Sequence, residues 1–414
     1  NDFQIPPLQV QTLRDASVAD VIRIVEDAVA GKSDAPQPLP YNDEARDPAA
    51  AAEKAKGVGI APRDASERMV FGAWAKYAGA AAAGVTSALP SVSNEQAGEI
   101  AAHLTERSGI DVPAGEVLAA ETLEPLANLV REGLETPVDG NIRVFRERTE
   151  DMDAPSVFVF HPAGGSSSVY APLARRLDEN VPVYGVERLE GSLEERAAAY
   201  VKDIERIADG RKVVLAGWSF GGALAYEVAH QLGNDRIDFI ALLDTTQPSE
   251  PTPNTPEETK KRWERYAAFA RDTYGLDFPV PYELLETAGE DAVLNMLGEF
   301  LATTDASEHG LAAGVLEHQR ASFVDNQILD NLDFSRWASV DVPVLLFRAE
   351  RMHEGAIILE PAYAHIDEDG GWGAIVDDLK IVHLPGDHLA VVDEPAVGIV
   401  GKHMNEWIDD VDRR

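Results

Sequence analysis

The sequence predicts an α/β protein, with a mostly parallel β-sheet covered by helices on both faces and a small all-α domain before it. Three observations carry this prediction. From about residue 142, short apolar runs alternate with helical stretches, as in a buried parallel sheet. A glycine-flanked serine, Ser219, stands between one such run and a helix. Residues 63–137 are mostly helical in pattern, which indicates a separate helical domain.

The sheet is expected in a domain that spans residues 142–414. Its six candidate strands are Val157–Phe160, Val183–Val186, Val213–Ala216, Phe239–Leu243, Val344–Phe347 and Leu379–His383. Between the fourth and fifth of these, about residues 249–338 have helical character without a strand pattern. Because an insertion of this size between strands commonly covers a site, we expect a helical lid here.

The N-terminal part contains a weak internal repeat, in which Ile5–Val10 matches Val112–Val117. Residues 1–31 resemble the C-terminal end of an acyl carrier domain, and residues 63–137 resemble a nearly complete one. Residues 32–62, between them, are rich in Pro, Ala, Asp and Lys, which predicts a flexible linker.

A carrier domain binds 4′-phosphopantetheine through a serine at the start of its second helix. In residues 63–137 that position falls on Asn94, one residue after Ser93. Ser93 and Gln96 match a helix capping box instead. Ser93 is therefore only a weak candidate, and we expect this domain to lack the prosthetic group.

Composition narrows the class of protein. The chain has 414 residues, 36 basic and 72 acidic, and its net charge of −36 disfavours nucleic acid and anionic membranes as partners. It has no cysteine, which excludes disulfides, thiolate metal sites and a cysteine nucleophile. No apolar run reaches about 18 residues, so we expect no transmembrane segment. Motifs for a metal, a phosphate loop or a dinucleotide are absent, so we expect neither a metal site nor a cofactor in this chain.

The first residues lack Met and the pattern of a secretory signal. We therefore expect a piece from the middle of a longer polypeptide, located in the cytoplasm.

The sequence Gly217-Trp218-Ser219-Phe220-Gly221 follows an apolar run and precedes a helical one. This is the context of the G-x-S-x-G nucleophile elbow of the α/β-hydrolase fold, in which a sharp turn exposes the serine hydroxyl. Only small residues at positions 217 and 221 let the strand and helix pass so closely. The alternative is an ordinary strand-to-helix turn with Ser219 as a helix cap.

A serine hydroxyl becomes a nucleophile only beside a base that is oriented by an acid. In the α/β-hydrolase fold the chain order is serine, acid, histidine. Asp244 closes the strand after Ser219, and His388 follows the last strand, so these two are the predicted acid and base. The alternatives are Glu350 for the acid and His161, His318, His353 or His383 for the base.

An oxyanion hole needs two backbone N–H groups. We expect one from Phe220, directly after the nucleophile. The second is expected from Ala163, in the loop His161-Pro162-Ala163-Gly164-Gly165 after the first predicted strand. In this loop His161 would shape the turn.

The histidine–glycine loop, the serine elbow and the segment Gly386-Asp387-His388 resemble, in order, the signatures of thioesterase domains that end polyketide and peptide synthases. The resemblance is closer to the mycolic-acid condensing polyketide synthases of mycolate-making actinobacteria. It is carried by His318–Ser322, Leu359–Tyr363, Asp369–Gly373 and Asp393-Glu394-Pro395.

This resemblance implies a specific reaction. An α-alkyl β-ketoacyl chain, a mycolate precursor, would pass from a carrier to Ser219 and then to trehalose. His388 would deprotonate first Ser219 and then the sugar, while Asp244 would orient His388. The implied partners are the upstream acyl carrier domain of the same polypeptide, with its 4′-phosphopantetheine, and the long-chain acyl thioester and trehalose as substrates.

By matching position, the resemblance also implies a substrate groove. Its expected residues are His318, Asn326, Asp330, Ala356 and Tyr363. Leu359 and Met352 stand where the relatives carry an aromatic residue and a tyrosine, which implies a more aliphatic groove. Two other functions stay open from the residues: hydrolytic release of a fatty or polyketide acid, and a mainly non-catalytic module that docks a carrier.

Overall fold

The computed structural model describes residues 62, 64–78, 82–134, 138, 140–253, 255–274, 277–303 and 313–410. The predictions for residues 1–31, and for all of the linker except its last residue, lie outside the described residues.

Four helices follow in the region predicted to be helical. They are α1 (Ala65–Tyr77), α2 (Asn94–Ser108), α3 (Ala114–Ala119) and α4 (Glu124–Leu134). Each contributes buried apolar side chains to one shared core, for example Trp74, Leu104, Val117 and Val130.

Side-chain caps and one ion pair fix these helices. Asp64 accepts a hydrogen bond of 2.8 Å from the Glu67 N–H at the start of α1 and pairs with Arg131 of α4 at 2.7 Å. Ser93 and Gln96 form the predicted capping box at the start of α2. The Ser93 hydroxyl thus caps the helix one residue before the position where a carrier domain would bear its prosthetic group.

Seven strands form one sheet in the order β1-β3-β2-β4-β5-β6-β7. They are β1 (Ile142–Arg146), β2 (Ser156–Phe160), β3 (Val183–Val186), β4 (Val213–Trp218), β5 (Ile237–Leu243), β6 (Val344–Arg351) and β7 (Leu379–Asp387). The pairs from β3 to β7 are all parallel, whereas β1 is antiparallel to β3. All six predicted strands are present.

The sequence did not predict strand β1. It mixes apolar and basic residues, and its Val144 side chain is exposed. A half-covered edge strand lacks the continuous apolar run that identifies a buried parallel strand.

Helices cover both faces of the sheet. In chain order the described helices of this region are α5 (Ala171–Arg176), α6 (Leu193–Ala208), α7 (Phe220–Leu232), α8 (Pro256–Tyr274), α9 (Tyr282–Ala288), α10 (Glu290–Thr303), α11 (Ala313–Asp330), α12 (Glu354–Leu359) and α13 (Ala396–Asp409). The helices that cover the sheet are α5, α6, α7 and α13. Successive strand residues point to opposite faces, so that Leu215 packs with α6 and α7, whereas Val214 packs with α5 and α13. This is the predicted α/β-hydrolase architecture.

Helices α8 to α11 lie between β5 and β6, within the segment predicted as a helical insertion. The described residues of that segment contain no strand. Their own small core forms around Trp263, Phe278 and Val293. Among the described helices, none combines the length and apolar character needed to cross a bilayer.

Candidate active site

Ser219 occupies the sharp turn between β4 and α7. Its backbone has φ 56° and ψ −123°, a strained conformation for a residue with a side chain. A methyl group at Gly217 would overlap the backbone of Gly221, and one at Gly221 would overlap the carbonyl of Phe160. Both glycines are therefore required by close backbone approach, and the local geometry is that of a nucleophile elbow.

Asp244 and His388 meet beside this turn. The His388 Nδ1 lies 2.8 Å from the Asp244 Oδ2, and both residues are buried. The other oxygen of Asp244 accepts hydrogen bonds from the Ala349 N–H at 3.0 Å and from the Arg348 guanidinium. Burial alone would raise the pKa of Asp244, but the charge of Arg348 and the contact with His388 hold it below its ordinary value. The carboxylate therefore stays ionised and can orient the imidazole.

The rival acid lies elsewhere. Glu350 is exposed near the end of β6, whereas Asp244 makes the contact with His388. Among the rival histidines, His383 lies 3.3 Å from Glu368. His161 is fully buried, with its Nδ1 2.9 Å from the Pro162 oxygen, and burial lowers its pKa to about 4.

His353 is a neighbour of the site that sequence reasoning placed only in the lid region or at its edge. Its ring lies 5.9 Å from the ring of His388, and its Nδ1 caps the start of α12 by accepting the Ala356 N–H at 3.4 Å. Burial and the adjacent His388 lower the pKa of His353, so it is a neutral polar group beside the base. Only the path of the chain after β6 brings the two rings together.

The predicted oxyanion residues are Phe220, within the elbow, and Ala163, in the loop after β2. Phe220 is the first residue of α7 and is fully buried, and Ala163 lines the cavity that contains Ser219. The next residue, Gly164, has φ 65° and donates its N–H to the Asp325 carboxylate at 2.8 Å. The loop that carries Ala163 is thus tied to helix α11.

Asp325 is a buried charge that sequence reasoning missed as a site residue. Its oxygens also accept hydrogen bonds from Arg188 at 2.9 Å and from Arg196 at 2.7 Å. A methyl group on Gly164 would overlap the backbone of α11 at Ser322. Helix α11 therefore lies directly against the loop predicted to supply an oxyanion N–H group, and the ion pairs fix that contact.

Arg348 was also missed, although the sequence carries a signal for it. It interrupts the apolar run of β6, and a charged residue inside a buried strand requires a partner. Its side chain is 1% exposed and pairs with Asp244.

One cavity of about 970 Å³ joins these groups. Ser219, Asp244, His388 and Ala163 line it, while Phe220 lies beneath its surface. All five expected groove residues line the same cavity: His318, Asn326, Asp330, Ala356 and Tyr363.

The cavity has a polar part and an apolar part. The Tyr363 hydroxyl donates to the Asp330 carboxylate at 3.0 Å, and the crowding of protein atoms around Asp330 raises its pKa to about 7. Met352, Ile358 and Leu359 supply aliphatic lining. The arrangement can hold an acyl chain and a hydroxylated acceptor around one serine.

Comparison with known proteins shows the family of this domain. A family model described as the thioesterase domain matches residues 155–407, more than half of the chain. The dimodular nonribosomal peptide synthase of Bacillus subtilis is 26% identical over 227 residues, 49% of this chain and 9% of that protein. The orsellinic acid synthase ArmB of Armillaria ostoyae is 24% identical over 307 residues, 71% of this chain and 12% of that protein.

Among solved structures, a four-domain nonribosomal peptide synthetase bound to AMP and glycine has a TM-score of 0.44 at 23% identity, covering 84% of this chain and 26% of that one. The chain spans less than a fifth of the length of the curated relatives it matches. The chain belongs to the thioesterase domain family found in peptide and polyketide-type synthases, whose members are serine hydrolases.

Proposed function

We propose that this chain takes a long α-alkyl β-ketoacyl chain, a mycolate precursor, from a carrier protein and transfers it to trehalose. The observation that carries the proposal is the shared cavity, in which Ser219 and His388 lie together with the polar residues Asn326, Asp330 and Tyr363. The substrate class rests on the resemblance to mycolic-acid condensing synthases.

In the first half-reaction, the Ser219 Oγ attacks the thioester carbonyl while its proton passes to the His388 Nε2. The carbonyl oxygen becomes an oxyanion, which the N–H groups of Phe220 and Ala163 stabilise. The C–S bond then breaks, and His388 returns the proton to the departing phosphopantetheine sulfur. The acyl chain is left as an ester on Ser219.

In the second half-reaction, a trehalose hydroxyl replaces the thiol. His388 removes the proton from this hydroxyl, the sugar oxygen attacks the ester carbonyl, and a second oxyanion forms. The bond to the Ser219 Oγ breaks, and His388 returns the proton to Ser219. Asp244 stays beside the Nδ1 of His388 throughout both half-reactions, so only the Nε2 exchanges protons.

The polar part of the cavity supports a sugar as acceptor. Asn326 is exposed to the cavity and lies 3.3 Å from the Ser322 hydroxyl, and Asp330 and Tyr363 form a donor–acceptor pair. Such groups offer several hydrogen bonds to a hydroxyl-rich ligand. The aliphatic lining at Met352 and Leu359 would contact the acyl chain.

The thioesterase domain needs no cofactor of its own. In the proposed reaction 4′-phosphopantetheine arrives on the upstream carrier domain, of which residues 1–31 would be the end. Residues 63–137 would be a carrier-like domain without the prosthetic group, because Ser93 serves as a helix cap.

Mass spectrometry of the intact protein tests the proposal. The wild type and Ser219→Ala are incubated with a long-chain β-ketoacyl thioester, with and without trehalose. We expect an acyl adduct on the wild type only, cleared faster by trehalose as acyl-trehalose accumulates. If the adduct clears at the same rate with and without trehalose and yields free acid, the chain is a hydrolase and not a transferase. If no thioester forms an adduct, the remaining function is that of a module that docks a carrier.

A further inference from the structure

The N-terminal helical domain forms part of the wall of the active-site cavity. Pro62, Asp64, Ala65 and Arg68 line the same cavity as Ser219. These residues precede the region that the thioesterase family model matches. The cavity is therefore incomplete without the start of helix α1.

Arg68 makes the most specific of these contacts. Its guanidinium donates to the backbone oxygen of Leu389, pairs with Asp393 at 2.9 Å and lies 4.8 Å from the centre of the Trp218 ring. Only 9% of the Arg68 side chain is exposed. Burying an arginine costs free energy unless partners such as these compensate for its lost hydration. The partners therefore fix the position of the Arg68 guanidinium.

Two of the three partners of Arg68 adjoin the catalytic pair. Leu389 directly follows His388, and Trp218 directly precedes Ser219. The Trp218 indole N–H donates to the His388 backbone oxygen at 3.0 Å, and the two rings lie 5.5 Å apart. One guanidinium thus contacts both the histidine loop and the residue before the nucleophile.

Helix α1 is a rigid support for this side chain. Arg68 stands in its first turn, where Asp64 caps the helix and pairs with Arg131 of α4. On the same helix, Trp74 is buried in the core of the helical domain. A side chain held in this way can fix a loop of another domain to a fraction of an ångström.

We propose that Arg68 is a positioning residue, through which the helical domain holds the His388 loop in register with Ser219. The domain is then part of the catalytic unit and not only a spacer between a carrier and the thioesterase. This inference rests on Ser219 and His388 being the reacting pair, but on neither trehalose nor a mycolate chain as substrate.

Steady-state hydrolysis of a p-nitrophenyl acyl ester by the full chain tests this role. The variants are Arg68→Met, which keeps the length and loses the charge, and Arg68→Lys, which keeps the charge. Since small displacements of a catalytic group cost about tenfold to a hundredfold, we expect kcat of Arg68→Met to fall by that factor while KM changes less than about twofold. Arg68→Lys should recover a measurable part of kcat.

Arg176→Gln is the matched control. Arg176 pairs with Glu394, next to Asp393, but half of its side chain is exposed, so this variant should retain the wild-type kcat. Melting temperatures of all variants separate positioning from unfolding. A wild-type kcat in Arg68→Met would overturn the proposal. It would also be overturned if Arg68→Met and Arg68→Lys lost kcat equally and in proportion to their fall in melting temperature. Loss of ester hydrolysis in Ser219→Ala verifies the nucleophile separately.

Discussion

At the scale of single residues, one buried cation sets the state of the proposed acid. Arg348 is the charge that offsets the burial of Asp244. Without it, desolvation would raise the pKa of the carboxyl and favour the protonated form, which orients an imidazole poorly. The serine site therefore depends on a residue that takes no part in bond formation.

We expect Arg348→Gln to shift the acid side of the pH–kcat profile to higher pH. The pKa of Asp244 rises once its cation is removed, so protonation occurs at a higher pH and activity is lost sooner on acidification. Ester hydrolysis measured between pH 4 and pH 9 checks this shift. Arg351→Gln, an exposed arginine on the same strand, should retain the wild-type profile; an unmoved profile in Arg348→Gln would contradict the role.

Asp330 gives a second prediction, for the acceptor. Its pKa is about 7, so acidification below this value converts a strong acceptor of sugar hydrogen bonds into a neutral carboxyl. We expect the KM for trehalose to rise as the pH falls through 7 in the wild type, and not in Asp330→Asn. Acyl-trehalose formation at several pH values measures both. A parallel rise in the variant would assign the titration to another group.

At the scale of elements, helix α11 and the oxyanion loop behave as one unit. Asp325 of the helix receives the N–H of Gly164 and two arginines, and the glycine leaves no room for a side chain. The helical insertion, which we propose as a lid, is thus attached at its last helix to the loop that carries Ala163. Movements of the lid that open the cavity would have to occur in α8 to α10 or displace the oxyanion loop as well.

We expect Asp325→Ala to destabilise the protein by about 3–5 kcal/mol, because it leaves Arg196 buried without its carboxylate. It should also lower kcat, since the loop that carries Ala163 loses its anchor. Urea unfolding and ester hydrolysis measure the two effects. Asp341→Ala, an exposed carboxylate in the loop before β6, is the control and should change stability by less than about 0.5 kcal/mol. Full stability of Asp325→Ala would refute the anchor.

At the scale of the whole molecule, the net charge affects stability, and the arrangement of the domains shapes the cavity. The net charge of −36 creates self-repulsion that opposes a compact state. Residues of the helical domain and of the sheet domain line one cavity, and Arg68 connects the two domains there by its pair with Asp393.

Salt should therefore stabilise the protein. Raising NaCl from about 0.02 M to about 0.5 M shortens the screening length to a few ångströms and weakens the repulsion among carboxylates. We expect the melting temperature to rise over this range, since individual surface ion pairs contribute little and their loss is small. Differential scanning calorimetry gives the result, with an uncharged osmolyte as reference. A falling melting temperature would show that ion pairs outweigh the repulsion.

The sequence by itself determined the local features. Alternating apolar runs predicted six strands, and the glycine-flanked elbow predicted Ser219 as the nucleophile, because both predictions depend on residues that are neighbours in the chain. Chain order and strand ends then located Asp244 and His388, since the carboxyl ends of parallel strands meet at one edge. Strand β1 was not predicted, because its pairing with β3, and not its composition, makes it a strand.

Only the tertiary structure decided which distant charges support the site. Arg348 lies 104 residues from Asp244, Asp325 lies 161 from Gly164, and Arg68 lies 325 from Asp393. No local pattern encodes such pairs, because the free energy of a buried charge depends on what the folded chain places around it. The contact of His388 with Asp244, and the joining of the helical region and the sheet around one cavity, likewise arise only in the folded chain.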